Sequence, residues 1–529
     1  MLSLPVETIE EILSHVNEDD IKTLRSIILI NRTWCKFGIH YLWKKPFHIE
    51  NSPKNLYKII SIILFFLDKP QKKILKINDQ RIEIPRTTLF DYPSFIRQLD
   101  ISKIFLLIEE WISKNKRFRL TLRKDCFNKN GDKFIYNFST LKKHYYHYEM
   151  EDLEELAFFE SIFKIIIKKS KGIQKLNLDI NNEHSFWKTY AIPNDYFGIL
   201  FNGIDDIHKC FTGLKELSCD GNFYKHSIIN KIKECSHEIN ELYINIWRND
   251  YVKLKELLQV QKNLKSLSYS ATEDINNTTI EGLQGMVAET LESLKISYGE
   301  IRNEQLKYLA KCKKLKKLSF DDVLFEGPID LLTSIIFPNL ENLKFSNGTF
   351  ILDNVVNEMK VFIKNNGKNL KKIHLCQDLS GITEILSTLS DLCYNLKKIF
   401  LVIESQSDMM LLFKIMDQCK NLKTISIVYN FRPTYISNQL MFNFIQYCSP
   451  NLQILRILNC PISQDNFTFL LKKCGAFLKV LVCCCDGNMN ELKNLVYRTS
   501  ELHERNLKFY SIYGNCNIYN VYEVEINWD

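Results

Sequence analysis

Apolar residues recur along most of the chain with one characteristic spacing. The stretch Asn451–Cys460, NLQILRILNC, shows it most clearly, because Leu452, Leu455 and Ile457 follow the pattern L-x-x-L-x-L. Residues two apart share one face of a β-strand, so the last two apolar residues predict a short strand with one buried face. Twelve segments follow the pattern: Leu214/Leu217/Cys219, Ile239/Leu242/Ile244, Leu264/Leu267/Tyr269, Leu291/Leu294/Ile296, Leu315/Leu318/Phe320, Leu340/Leu343/Phe345, Leu370/Ile373/Leu375, Leu396/Ile399/Leu401, Leu422/Ile425/Ile427, Leu452/Leu455/Ile457, Leu478/Leu481/Cys483 and Leu507/Tyr510/Ile512.

The distance between copies predicts the architecture. Successive first apolar residues from Leu214 to Leu507 are 24 to 30 residues apart, close to the roughly 20–29 residues of a leucine-rich repeat. One such unit cannot bury its own apolar face, so neighbouring units must stack. The segments before Cys419 and Cys474 have the i, i+3, i+4 apolar spacing of helices. We therefore predict an α/β solenoid, a curved array with parallel strands on the concave face and helices on the convex face.

The first 47 residues have a different pattern, which predicts three short helices. Their apolar positions are Ile9, Ile12, Leu13 and Val16, then Leu24, Ile27, Ile28 and Ile30, and finally Trp34, Phe37, Tyr41, Leu42 and Trp43. Asp19 or Asp20 is expected to cap the second helix. So short a module cannot hide that much apolar surface internally, so a partner surface is expected.

Three stretches of this module, LPVETIEEILSHV, IILINRTWC and YLWKKPF, carry a resemblance. They resemble the F-box, which docks a substrate receptor onto the Skp adaptor of a Skp-Cullin-F-box ubiquitin ligase. Leucine-rich repeats behind an F-box are a familiar pairing in that family, including in fungi. The resemblance implies that these residues face or support the adaptor: Leu4, Pro5, Ile9, Ile12, Leu24, Ile28, Ile30 and Trp34.

The same resemblance implies a function. The chain would bind the Skp adaptor, and through it a cullin, while the repeats bind a protein substrate for ubiquitination and proteasomal degradation. Two other interpretations stay open at this point. The helices could merely cap the first repeat of an interaction scaffold with no ligase role, or the solenoid could bind nucleic acid.

Three regions are predicted. Residues 1–47 form the F-box, residues 48–170 a connecting region, and residues 171–529 the repeat solenoid. In the connecting region, Ile96, Leu99 and Ile101 predict an early irregular repeat, and the basic, aromatic stretch Arg117–Tyr148 predicts a solvated insertion.

Lysines recur next to the first apolar residue of the repeats. Because residues between the apolar positions point away from the core, stacked strands would align these cations about 4.8 Å apart. Like charges this close repel one another, so an acidic or phosphorylated substrate is one interpretation, and an ordinary solvated face is the other. The predicted substrate-binding residues are Lys371, Lys372, His374, Lys397, Lys398, Lys423 and Arg456.

Composition and motif content limit the classes of function that the chain can have. The 70 Lys and Arg against 62 Asp and Glu give a net charge of +8 over 529 residues, which does not by itself indicate nucleic-acid binding. The longest apolar run, Ile59–Leu67, is about half the roughly 20 residues of a membrane span. Neither a signal peptide nor a catalytic motif is recognised. We therefore predict a non-catalytic, cytoplasmic or nuclear protein without cofactor or membrane association.

Cysteine spacing argues against a disulfide framework and against zinc. None of the 16 cysteines forms a C-x-x-C motif, the spacing typical of zinc sites. Six of them lie three or four residues before a repeat's first apolar residue: Cys235, Cys312, Cys393, Cys419, Cys448 and Cys474. They are predicted to be core residues, as free cysteine behaves like a small apolar side chain. The cluster Cys483–Cys485 is predicted to place Cys483 in the core.

Overall fold

The structure is a computed structural model. It describes residues 4–17, 20–47, 56–75, 84–115, 150–179, 200, 204, 207–220, 227–245, 251–270, 278–325, 329–346, 350–351, 356–375, 381–429, 437–486, 489–502, 507–514 and 521–528. The chain divides into two compact units, Met1–Leu264 and Lys265–Asp529.

The first unit begins with the three predicted helices, α1 (Val6–His15), α2 (Ile21–Ile28) and α3 (Arg32–Trp43). The Asp20 side chain accepts from the backbone N–H of Thr23 at 3.0 Å, which confirms the predicted cap of α2. The Asn31 side chain caps α3 by accepting from the N–H of Trp34 at 3.0 Å. Both contacts satisfy helix-terminal donors that have no partner within the helix.

A small sheet follows in the same unit. Its strands β1 (Gln98–Asp100), β2 (Lys175–Asn177), β3 (Glu216–Asp220) and β4 (Glu241–Asn245) are parallel and adjacent in chain order. Leu99 of β1 is opposite Leu176 of β2, whereas Ile101, the last apolar residue of the predicted early repeat, begins a helix and does not continue the strand. Helices accompany the strands: α4 (Lys58–Phe65), α5 (Lys69–Ile74), α6 (Ile101–Lys114), α7 (Met150–Lys169), α8 (Ile207–Phe211), α9 (Ser227–Cys235) and α10 (Tyr251–Gln259).

The helical module is joined directly to this sheet. The carbonyl oxygen of Lys44, just after α3, accepts from the N–H groups of Arg97 and Gln98 at 2.9 and 3.1 Å. The rings of Trp43 and Tyr92 lie 4.5 Å apart between centroids. The end of α3 therefore supports the start of β1.

The second unit contains a long sheet. Its strands are β5 (Ser266–Ser270), β6 (Ser293–Ser297), β8 (Lys317–Asp321), β10 (Asn342–Ser346), β12 (Lys372–Leu375), β13 (Lys398–Ile403), β14 (Thr424–Tyr429), β15 (Ile454–Ile462) and β16 (Val480–Asp486), parallel and adjacent in that order. The short strands β7 (Glu300–Ile301), β9 (Leu324–Phe325) and β11 (Phe350–Ile351) form a second parallel sheet.

Helices connect the strands of the long sheet. They are α11 (Met286–Thr290), α12 (Asn303–Leu309), α13 (Asp330–Ser334), α14 (Val356–Asn366), α15 (Ile382–Leu392), α16 (Gln406–Gln418), α17 (Asn438–Tyr447), α18 (Gln464–Cys474) and α19 (Met489–Leu502). The helices predicted before Cys419 and Cys474 are confirmed as α16 and α18.

The last copy of the pattern does not continue the parallel array. The strands β17 (Leu507–Gly514) and β18 (Val521–Trp528) are antiparallel to each other, and β18 lies between β17 and β16. The prediction that Leu507, Tyr510 and Ile512 begin another parallel repeat is therefore wrong. The helix α19 carries the chain from β16 to β17, and β18 then returns antiparallel into the place beside β16 that a further parallel repeat would occupy.

The repeat core agrees with the sequence pattern. Every predicted inward residue from Leu214 to Cys483 is at most 3% exposed. Five of the six predicted core cysteines are buried, and Cys448 is half-buried. The inward residues pack between strands and helices, so the chain has an α/β solenoid fold of leucine-rich-repeat-like units.

Candidate protein-interaction surfaces

The helical module exposes several apolar side chains. Leu4 is 47% exposed, Ile12 40% and Ile30 58%, and Pro5 is also exposed. Sequence reasoning missed two further exposed apolar residues, Val6 at 39% and Leu29 at 81%. Both lie directly beside predicted positions in the chain. A helical wheel places Val6 on the same side as Ile9 and Leu13, so periodicity gave no signal for its exposure.

The other predicted adaptor positions lie deeper. Ile9 and Leu24 are buried, while Ile28 and Trp34 are half-buried. A Cβ on Gly38 of α3 would lie 3.0 Å from Cγ2 of Ile28, which shows how closely α2 and α3 approach. In the structure, these four residues hold the helices together more than they expose apolar surface.

A second surface follows the strand starts of the second unit. One residue immediately before each strand forms what we call the first row: Lys265, Glu292, Lys316, Glu341, Lys371, Lys397, Lys423, Gln453 and Lys479. Each backbone N–H donates to the carbonyl oxygen of the preceding row member at 2.6 to 2.9 Å. This ladder brings side chains that are 24 to 30 residues apart in the chain next to one another.

Charges alternate in the early part of the first row. Nζ of Lys316 lies 2.8 Å from a carboxylate oxygen of Glu292, and Nζ of Lys371 lies 2.5 Å from one of Glu341. The hydrogen bond from Lys316 lowers the pKa of Glu292, and the hydrogen bond from Lys371 lowers the pKa of Glu341. Lys371, which the sequence predicted as a substrate contact, is thus already engaged.

The later part of the first row lacks this compensation. Lys397, Lys423 and Lys479 are exposed, and within the described residues none of them has a carboxylate within 4.0 Å. Lys397 and Lys423 are among the predicted contacts. The positive charge of this row is therefore unbalanced from Lys397 onward.

The strands themselves add two more rows. In the second row, Lys372 is opposite Lys398 and Lys398 is opposite Thr424. Both lysines are exposed, and neighbouring strands lie about 4.8 Å apart. In the third row, residues follow one another from strand to strand: Lys344, His374, Phe400, Ser426 and Arg456.

His374 contributes a ring rather than a charge. It stacks on Phe400 with centroids 3.9 Å apart and planes 5° from parallel. Burial, and to a smaller extent the nearby Lys344, lower the pKa of His374 to about 4, with Asp321 partly opposing both effects. His374 is therefore neutral at pH 7. Arg456, three places farther along the third row, is half-buried.

Other candidate chemistry is limited to what the described residues show. Among them, no three His, Cys, Asp or Glu side chains lie close enough to hold a metal ion. None of their helices is long and apolar enough to cross a bilayer. Cys483 is buried as predicted, with its Sγ 3.7 Å from that of Cys485. The predicted basic insertion Arg117–Tyr148 lies outside the described residues.

Comparisons with known proteins do not assign the chain to a family. No protein-family model matches the chain, and no curated protein matches it. Among solved structures it is similar to a leucine-rich repeat protein of Leptospira interrogans, with 18% identity and a TM-score of 0.30. That match covers 58% of this chain and 78% of the other. So distant a likeness does not assign a function.

Proposed function

We propose that this chain is the substrate-recognition subunit of a Skp-Cullin-F-box ubiquitin ligase. The helical module binds the Skp adaptor, and the repeats bind a protein substrate for ubiquitination and degradation. Such a role is exercised in the cytoplasm or nucleus. The chain itself performs no chemistry, because its contribution is to hold the substrate near a conjugating enzyme carried elsewhere in the complex.

One observation carries the adaptor part of the proposal. In a module whose sequence resembles the F-box, Leu4, Ile12 and Ile30 are 40–58% exposed while Ile9, Leu13 and Leu24 are buried. Exposed apolar side chains in a soluble module indicate a partner surface. The repeat fold supports the other part, because stacked repeats present an extended surface suited to protein interaction.

The test is adaptor binding by point variants. We expect Leu4→Asp combined with Ile30→Asp to weaken binding of a purified fungal Skp adaptor at least tenfold, because two charges would enter an apolar contact. Leu89→Asp is the matched control, since Leu89 is 86% exposed and lies outside the helical module. Equal binding by all three proteins, measured by calorimetry, would contradict the adaptor role.

Point variants are better than deletion of residues 1–47. Deletion would remove the Lys44 carbonyl that accepts from Arg97 and Gln98, and also Trp43 against Tyr92. A truncated chain that lost substrate would then report a damaged first repeat rather than a missing adaptor.

The same junction favours one alternative. If the helices serve only to cap the first repeat, the chain is an interaction scaffold without a ligase role. In that case the native protein binds its partners but not the Skp adaptor, and the Leu4 and Ile30 variant behaves like the native protein in both assays.

A further inference from the structure

The second unit changes its charge pattern after the first-row lysine of β12, Lys371. Before that point, carboxylates in the first row neutralise the neighbouring lysines, as in the pairs Lys316–Glu292 and Lys371–Glu341. After it, the three rows on β13 and β14 hold Lys397, Lys398 and Lys423 and no carboxylate. The repeat backbone is the same on both sides, so the stacking of repeats does not require this imbalance.

The unbalanced cations are concentrated at the strand starts. Lys372 and Lys398 are direct neighbours across β12 and β13, and Lys397 and Lys423 are neighbours in the first row. All four are exposed. Like charges at about strand spacing destabilise one another, and a bound anion removes that cost while forming charge-assisted hydrogen bonds.

The neighbouring third row offers apolar surface. The half-buried rings of His374 and Phe400 are stacked on each other, and His374 is neutral at pH 7. Because the two rings are stacked across adjacent strands, one face of each ring is covered by the other. A nucleic-acid base would need a free ring face for stacking, whereas an aliphatic or aromatic side chain of a peptide can pack against ring edges.

We infer that the starts of β12, β13 and β14 bind an extended, acidic protein segment. Its carboxylates or phosphates lie on Lys372, Lys397, Lys398 and Lys423, and one apolar side chain packs against the His374–Phe400 pair. Lys371 is outside the set because Glu341 engages it. The inference rests on the proposed function only in assigning this segment to the substrate.

The experiment uses the full chain and three labelled peptides. The first alternates Glu and Gly around one central Leu, the second carries Gln for every Glu, and the third carries phosphoserine for every Glu. We expect the Glu peptide to bind at least tenfold more tightly than the Gln peptide. The phosphoserine peptide then shows whether carboxylate or phosphate is preferred.

A matched pair of double variants distinguishes the effect of lysine position on peptide affinity from the effect of net charge. Lys398→Glu with Lys423→Glu should weaken the Glu peptide at least tenfold. Lys472→Glu with Lys473→Glu, which changes the same total charge on exposed residues of α18, should weaken it less than threefold. Both variants should bind the Skp adaptor like the native chain, so failure of this inference is distinguishable from failure of the adaptor role.

Three results would overturn the inference. The native chain could bind the Glu and Gln peptides alike, or fail to bind either. The two double variants could weaken binding equally, which would indicate a general charge effect. The native chain could bind a labelled oligothymidylate more tightly than any of the peptides, which would favour nucleic acid.

Discussion

The helical module and the starts of β12–β14 both expose side chains that do not pack in the core. Those of the module are apolar, and those at the strand starts are positively charged. The module exposes apolar residues such as Leu29, at 81%, and Ile30, at 58%. The strand starts expose Lys397, Lys398 and Lys423. Apolar contact gains affinity from burial, whereas contact between exposed charges gains it from attraction that salt screens. The two surfaces should therefore respond differently to the same conditions.

The largest expected effect separates the core from the proposed binding surface. Leu401 and Phe400 are consecutive in β13, but Leu401 is fully buried and Phe400 is half-buried on the opposite face. We expect Leu401→Ala to lower the free energy of unfolding by about 2–5 kcal/mol. Phe400→Ala should cost about 1 kcal/mol, the scale of one lost aromatic pair. Urea unfolding measures both, and equal losses would show that Phe400 is a core residue.

The dependence of affinity on salt concentration is the next way to distinguish the two surfaces. Raising the ionic strength from roughly 0.05 to 0.5 M shortens the screening length several-fold. We expect the affinity for the Glu peptide to fall at least tenfold over this range, while the affinity for the Skp adaptor changes less than threefold. A fluorescence titration at each salt concentration measures both, and parallel changes would remove the distinction between the two surfaces.

Lowering the pH tests whether His374 is uncharged in the folded chain. Its pKa in the folded chain, about 4, lies below its ordinary value of 6.5, so between these values the unfolded chain binds a proton that the folded chain does not. Proton binding to His374 in the unfolded chain therefore lowers the free energy of unfolding as the pH falls from 6.5 toward 4, and has no effect above pH 6.5. Since the ring is partly solvated, we expect a loss of about 1 kcal/mol by pH 5.

The variant His374→Gln is the control for this effect. It should lose less stability between pH 7.5 and pH 5 than the native chain in urea unfolding. Affinity for the Glu peptide should stay constant between pH 7.5 and pH 6, because His374 is not a cation there. An affinity that rises as the pH falls through 6.5 would show a charged His374 in the site.

The smallest expected effect comes from removing the carboxylate that pairs with Lys371. Glu341→Gln should release Lys371 from its ion pair and extend the basic surface by one lysine. We expect the Glu peptide to bind about two- to fivefold more tightly, because an exposed ion pair is worth about 0–1 kcal/mol. Glu292→Gln, which releases Lys316, is the matched control and should have a smaller effect, since Lys316 lies farther along the row.

The strand and core residues could be predicted because both follow from local periodicity. A residue such as Ile399 is apolar and two positions before Leu401, and no other part of the chain is needed to see that the two share a buried face. Asp20 before α2 was predictable for the same reason, since a cap acts on the next turn of its own helix.

The ion pairs and the end of the sheet could not be predicted in this way. Lys371 and Lys397 follow their apolar residues identically in the sequence. Lys371 nevertheless pairs with Glu341, whereas the first-row residues on either side of Lys397 are the lysines Lys371 and Lys423. Likewise, Leu507 carries the repeat pattern but begins a strand of the closing hairpin. Both outcomes depend on which strand lies beside which.

The sequence alone determined the repeat, its strands and helices, and the apolar helical module at its start, because each of these depends on residues a few positions apart. Only the tertiary structure decided which lysines are neutralised, which apolar residues of the module stay exposed, and that His374 is an uncharged ring. Those properties depend on register and burial, which place residues such as Glu341 and Lys371, or His374 and Phe400, in contact across neighbouring strands. Charge and apolar surface act through distance in space, and folding sets that distance.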